Sequence, residues 1–267
     1  MTEVILAIFL KAALAGGIVG YDGTSGAPAL CDGYSTPGFT STETWDPLSG
    51  NTDACDSGNT DNVTLFGFVN SATLNCNHTA QRYSGGVAME YLGGGSTEAS
   101  IDLTSTASAT KWTSIAVWFP ASDDLVNGAG HLRFEDAGTA DCRIELSTGT
   151  ACGGGPCWHL DVAHTGTDTD IAHAYPVIHN EWYVLRLRRI EHASTGTCTA
   201  CVHNAGTSAT APNIVSETWD CITVDYDDAN VTDDVRLGPG NTKDIIYDQW
   251  IYNDSTTEID ICEYYNP

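Results

Sequence analysis

Over residues 180–192 the chain reads Asn-Glu-Trp-Tyr-Val-Leu-Arg-Leu-Arg-Arg-Ile-Glu-His. In an extended strand Tyr183, Leu185 and Leu187 share one face, while Trp182, Val184, Arg186 and Arg188 share the other. The pattern predicts a strand near the middle of an antiparallel sheet, with one face in the core and the other half wet. Helical spacing fits worse, because Leu185, Leu187 and Ile190 form no stripe that Trp182 and Val184 join. Similar short runs predict strands over 63–69, 87–92, 99–104, 114–119, 131–135, 142–146, 158–163, 222–226, 235–237, 245–252 and 259–264. Turn formers punctuate them: Gly93-Gly94-Gly95, Asn127-Gly128, Gly153-Gly154-Gly155-Pro156 and Gly238-Pro239-Gly240. A dozen short strands with no helical period between them predict an all-β, two-sheet antiparallel sandwich or jelly roll.

The segments outside this pattern set the expected domain plan. Residues 4–21 are a long apolar run with small residues at Ala13, Ala15 and Gly16, as in a signal peptide. Glu3 in place of a basic flank departs from that pattern, and Lys11 and the glycines after Ala15 make a poor membrane span. The expectation is a retained N-terminal apolar arm and linker over 1–30, buried against its own sandwich or a neighbouring subunit, with the jelly roll over 31–267. Residues 23–61, rich in Gly, Ser, Thr, Asp and Pro, read as loop stapled by Cys31 and Cys55.

Composition narrows the environment. With 35 acidic against 10 basic residues the formal charge is −25, which repels nucleic acid and anionic membranes and suits a solvated acidic surface. The ten cysteines, Cys31, Cys55, Cys76, Cys142, Cys152, Cys157, Cys198, Cys201, Cys221 and Cys262, are too many for a typical cytosolic domain of this size. They lack paired zinc knuckles and read as disulfides formed in an oxidising compartment. Cys152 and Cys157 are expected to bridge across the Gly-rich turn. Cys198-Thr-Ala-Cys201 is formally a Cys-x-x-Cys, but lacks the βαβ setting of a thioredoxin-like redox site.

At Trp182 to Arg188, at Asp234-Val-Arg-Leu-Gly-Pro-Gly and at Ile245-Ile-Tyr-Asp-Gln-Trp-Ile-Tyr-Asn-Asp, the chain resembles the concanavalin A-like and laminin G-like jelly rolls. In those families a Trp-Tyr strand is followed by a short strand ending in Leu-Gly and then by a Tyr-Asp-containing closing strand. The resemblance implies a scaffold used for glycan binding, adhesion, virion or cell-surface structure and sometimes hydrolysis, without choosing among them.

Several constellations are candidates for chemistry. Glu258-Ile-Asp-Ile-Cys-Glu263 resembles the jelly-roll β-glucanase signature, which implies Glu258 as nucleophile, Asp260 as tuner and Glu263 as acid/base. Its place at the end of the sequence, with four residues after it, departs from that family, and the expectation is an acidic closing strand rather than an enzyme. Asp225, Asp227, Asp228 and Asn230 offer closely spaced oxygens to a hard cation, so calcium is the one cofactor considered, against a solvated acidic turn. His159, His164, His173 and His179, with Asp161, lie in one region but lack a zinc-binding spacing. Tryptophans 45, 112, 118, 158, 182, 219 and 250 are expected mostly in the core, with one or two as glycan-stacking platforms. Asn62, Asn77, Asn230 and Asn253 sit in glycosylation sequons. The expected function is a structural or adhesive surface protein, extracellular or on a virion surface, that assembles with itself or another surface or capsid protein through 4–21 and takes glycans as candidate ligands. A secreted carbohydrate-binding module and a jelly-roll hydrolase are the alternatives.

Overall fold

The computed structural model describes residues 41–43, 66–69, 74–78, 88–92, 98–102, 109–121, 125, 131–136, 139–152, 155–162, 167–170, 176–207, 219–228, 231–238 and 244–253. Among them the strands are β1 (Ser41–Glu43), β2 (Phe66–Val69), β3 (Leu74–His78), β4 (Ala88–Leu92), β5 (Glu98–Asp102), β6 (Thr110–Trp118), β7 (His131–Asp136), β8 (Thr139–Cys152), β9 (Gly155–Val162), β10 (Thr167–Asp170), β11 (Trp182–Ile190), β12 (Thr197–Gly206), β13 (Asp220–Asp225), β14 (Asp234–Gly238) and β15 (Asp244–Asn253). They form two antiparallel sheets. The first runs β13-β12-β11-β6-β15-β4-β3, with β1 also paired to β15; the second runs β10-β9-β8-β7-β14-β5-β2. Sequence neighbours such as β8 and β9 form hairpins, while β6 lies between β11 and β15 and β14 between β7 and β5, the long-range crossings of a jelly roll.

The central strand has the bounds its alternation predicts, Trp182–Ile190, and lies between β12 and β6. Tyr183, Leu185 and Leu187 join Ile115 and Val117 of β6, and Ile144, Leu146, Trp158 and Leu160 of the other sheet, in the inter-sheet core. Trp158 packs edge-on to Tyr183 and beside Phe119, with centroid separations of 6.0 and 5.7 Å.

Three expectations are corrected. The second face of β11 is not half wet: Trp182 is 0% exposed and Arg186 3%, within a second apolar cluster of Trp112, Ala116, Trp118, Val184 and Ile246. Residues 23–61 are not wholly loop, because Ser41–Glu43 pairs with Tyr252, Ile251 and Trp250. Thr197–Gly206, where no strand is predicted, is a ten-residue strand beside β11. Its inward positions are the small Cys198 and Ala200 and the modest Val202, so its alternation is masked by size. The expected strand over 259–264 and the apolar arm over 4–21 lie outside the described residues.

The cysteines behave as the oxidising reading requires. Cys142 and Cys198 bridge the two sheets with Cα atoms 6.0 Å apart, and Cys201 and Cys221 bridge adjacent strands with Cα atoms 4.1 Å apart. Cys157 is also in a disulfide; the side chain of Cys152, its expected partner, is outside the described ones. Among the described residues no cysteine is free. Cys198 and Cys201 are three apart and so point to opposite faces of β12, which explains why the Cys-x-x-Cys pair does not bridge to itself.

Candidate functional site

Strand alternation aims a set of charged side chains away from the core on the outer face of the second sheet. In β9, Trp158, Leu160 and Val162 enter the core, which turns His159 and Asp161 outward. In β8, Ile144 and Leu146 do the same for Arg143 and Glu145, and in β14 Val235 and Leu237 do so for Asp234 and Arg236. Register completes the site: Arg143 lies opposite Asp161 and Arg133, Glu145 opposite His159, Arg236 opposite Arg133, and Asp234 opposite Glu135.

Two arginine-centred groups result. Arg143 holds Glu145 through Nε at 2.9 Å and Asp161 through Nη2, and Glu145 also meets Nε2 of His159 at 3.2 Å. Arg236 holds Glu135 at 2.8 Å and Asp234 at 2.9 Å, and Arg133 makes a second ion pair with Glu135. Glu135, Glu145 and His159 lie beneath, buried; Arg143 and Asp161 stand higher, with side chains 29% and 19% exposed. Nδ1 of His159 is buried and finds no hydrogen-bond partner among the described residues.

Each guanidinium is held between carboxylates on rigid strands, so the directions of its N–H groups are fixed. The arginines of these groups are 15–29% exposed and the side chains of Glu135 and Glu145 only 2% and 6%, so the pairs are fixed more firmly than freely solvated surface ion pairs.

A second polar network closes one end of the sandwich. Arg189 is 0% exposed and points inward, where Nη1 donates to the carbonyls of Ile190 (2.6 Å), Tyr226 (3.1 Å) and Thr197 (3.4 Å), and Nη2 donates to that of Asp228 (2.9 Å). Its guanidinium stacks 4.2 Å from the centre of the Tyr226 ring. The Tyr226 hydroxyl faces Asp141 at 3.1 Å and Asp228 at 3.3 Å, and Thr232 donates to the other oxygen of Asp141 at 3.1 Å. Burial pushes the Asp141 carboxyl above its ordinary value, against the opposing pull of Thr232, Arg189 and Tyr226. Lys111 pairs with Glu191, which also accepts from the Thr232 amide at 2.7 Å. Gly196 belongs to this closure: a Cβ there would come within 2.1 Å of the Tyr226 carbonyl oxygen. The network reads as a structural clasp, since its members are buried and turned on one another.

The residues singled out in the sequence lie only partly among the described ones. Asp225 and Asp227 are exposed at the end of β13, and Asp228 is half-buried. Asp227 accepts from the Gly196 amide at 3.0 Å and Asp228 faces the Tyr226 hydroxyl, so both carboxylates have partners within the chain. Asn230, Glu258, Asp260, Glu263, His164 and His173 lie outside the described residues. Among the described residues no three His, Cys, Asp or Glu side chains converge as metal ligands. The expected core role holds for Trp158 and Trp250; Trp112, Trp118 and Trp182 are buried on the opposite face of the first sheet. Missed by sequence reasoning was the ladder itself. Its signal is Arg-x-Glu at 143–145 beside His-x-Asp at 159–161, visible only as two separate alternations.

No protein-family model and no curated protein matches the sequence. Among solved structures, a bifunctional GH43-CE protein from Bacteroides eggerthii aligns with a TM-score of 0.54 at 8% identity, over 84% of this chain and 27% of its own, so this chain spans about a quarter of that protein. A seed lectin from Lotus tetragonolobus aligns at 0.44 and 7% identity over 73% of this chain and 95% of its own. The PL-14 alginate lyase from Aplysia kurodai aligns at 0.44 and 9% identity over 67% and 86%. The likeness is one of fold, and it agrees with the two antiparallel sheets and their crossings, which make this chain an all-β jelly-roll sandwich.

Proposed function

We propose that this chain is an adhesive extracellular surface protein that binds a glycan on the outer face of its second sheet. The observation that carries the reading is the pair of arginine-centred groups, Arg143 with Glu145 and Asp161, and Arg236 with Glu135 and Asp234. Sugar hydroxyls donate and accept at adjacent positions, and charged partners on fixed strands match them with short, directional bonds. The disulfides among the described residues support an oxidising, extracellular setting. The ligand is a neutral glycan, because a net charge of −25 repels an anionic one over the approach path.

Hydrolysis is outside this proposal. A retaining site needs its carboxyls about 5–5.5 Å apart, whereas the five-residue spacing of Glu258 and Glu263 would suit such a pair only with a bulge between them. Calcium is likewise left as an expectation for Asp225, Asp227, Asp228 and Asn230.

The test is binding of the full chain to a panel of immobilised neutral and acidic glycans, followed by calorimetry on the best ligand. R143A and D161N should each weaken binding at least about tenfold, the effect of losing one charge-assisted contact. Absence of binding to any glycan, or binding indifferent to both substitutions in folded protein, would refute the assignment.

A further inference from the structure

We propose that the Cys201–Cys221 disulfide is a thiol-exchange site, opened by a dithiol reductant, that latches the edge strand β13. The inference stands apart from the glycan reading and rests on the other sheet.

The two described disulfides have opposite surroundings. Cys142 and Cys198 are both 0% exposed inside the inter-sheet core, where an attacking thiolate has no path. Cys221 is exposed on β13, which ends its sheet, and Cys201 is nearly buried on the neighbouring strand. An incoming thiolate therefore reaches the Cys221 sulfur and displaces Cys201.

The leaving group is placed to leave. Arg186 lies directly opposite Cys201, and Cys201 directly opposite Cys221, so all three share a rung and a face of the sheet. The Arg186 guanidinium is 4.1 Å from the centre of the Trp219 ring, two residues before Cys221, so it extends from β11 towards β13 on the disulfide's side. His203 is beside the same ring, with centroids 5.6 Å apart. A fixed positive charge on that rung stabilises a developing Cys201 thiolate, and a better leaving thiolate leaves faster.

The exchange balances. A reagent thiolate bonds to the Cys221 sulfur as the S–S bond breaks and its electron pair departs on Cys201. The reagent's second thiol, deprotonated, then attacks the reagent sulfur of the mixed disulfide and releases Cys221. Two electrons have passed from the dithiol, now a disulfide, to the cystine, and its two protons complete the protein thiols.

Opening affects one end of β13. Beyond the strand, Tyr226 stays tied through its amide to Gly196 O at 2.8 Å, its hydroxyl to Asp141 and its ring to Arg189. Among the described residues the start of the strand is held by its pairing to β12 and the neighbouring Trp219 stack.

The experiment treats the oxidised full chain with graded dithiothreitol under native conditions, alkylates it and maps the thiols by mass spectrometry. Cys201 and Cys221 should label at least about a hundredfold faster than Cys142 and Cys198, which wait for global opening. Amide exchange should then rise at Asp220 and Cys221 and stay slow at Tyr226. R186Q should slow the exchange about three- to tenfold, with R186K restoring it. Equal labelling of the two pairs, or survival of Cys201–Cys221 until the protein unfolds, overturns the proposal; equal rates for R186Q and the parent overturn the part given to Arg186.

Discussion

Replacing Arg189 by methionine keeps the aliphatic stem and removes five N–H donors from the closed end of the sandwich. Four carbonyls lose a charged donor, three of them at 2.6, 2.9 and 3.1 Å, and the fourth bond at 3.4 Å is weak enough to neglect. A buried acceptor left without its partner costs about 1–3 kcal/mol, so three of them give roughly 3–6 kcal/mol after partial relaxation. Asp141 also loses the positive charge that opposes its desolvation, and a buried charge deprived of its partner adds to the loss. The sum is a large part of the roughly 5–15 kcal/mol that holds a typical domain together. Equilibrium urea unfolding of the oxidised protein should show the midpoint falling with little change in slope. Because part of the loss is the stranded carboxylate, D141N should cost less in the R189M background than in the parent, a coupling that a double-mutant cycle measures. A loss below about 1 kcal/mol for R189M, or strictly additive effects with D141N, would show that the guanidinium is not the clasp.

Asp141 gives a pH signature. Its folded pKa is raised by burial, so the folded state holds the proton more tightly than the unfolded chain, whose carboxyl titrates near ~3.9, and the contribution to stability falls as pH rises through the folded value. Unfolding measured between acid and neutral pH should find D141N gaining on the parent as pH rises; a difference constant with pH would contradict this. Removing the inter-sheet bridge with C142A and C198A together should cost about 3–4 kcal/mol, from the 56-residue separation it closes, read as a lower urea midpoint with the fold retained. Deleting residues 1–20 should leave the sandwich folded by circular dichroism and abolish assembly seen by light scattering; unchanged assembly would remove the apolar arm as a contact.

Alternation is a local property, and what depends only on it was legible. The core face of residues 182–190, the strands near 131–135, 158–163, 235–237 and 245–252 and the all-β class follow from side chains that take turns on two faces. The even set of cysteines pointed to disulfides, and the opposed faces of Cys198 and Cys201 are a consequence of counting along a strand. Pairing is not local. That Cys201 meets Cys221 and Cys142 meets Cys198, that Arg143 stands between Glu145 and Asp161, and that Arg189 reaches carbonyls of Tyr226 and Asp228 all depend on which strands become neighbours and in what register. Register is set by the simultaneous burial of many faces across long loops, a condition no single window of sequence contains. The same reason hid the burial of Trp182 and Arg186: a face that looks amphipathic along one strand becomes interior when β6 beside it presents Trp112 and Trp118, and β15 beyond β6 presents Ile246, to the same cluster.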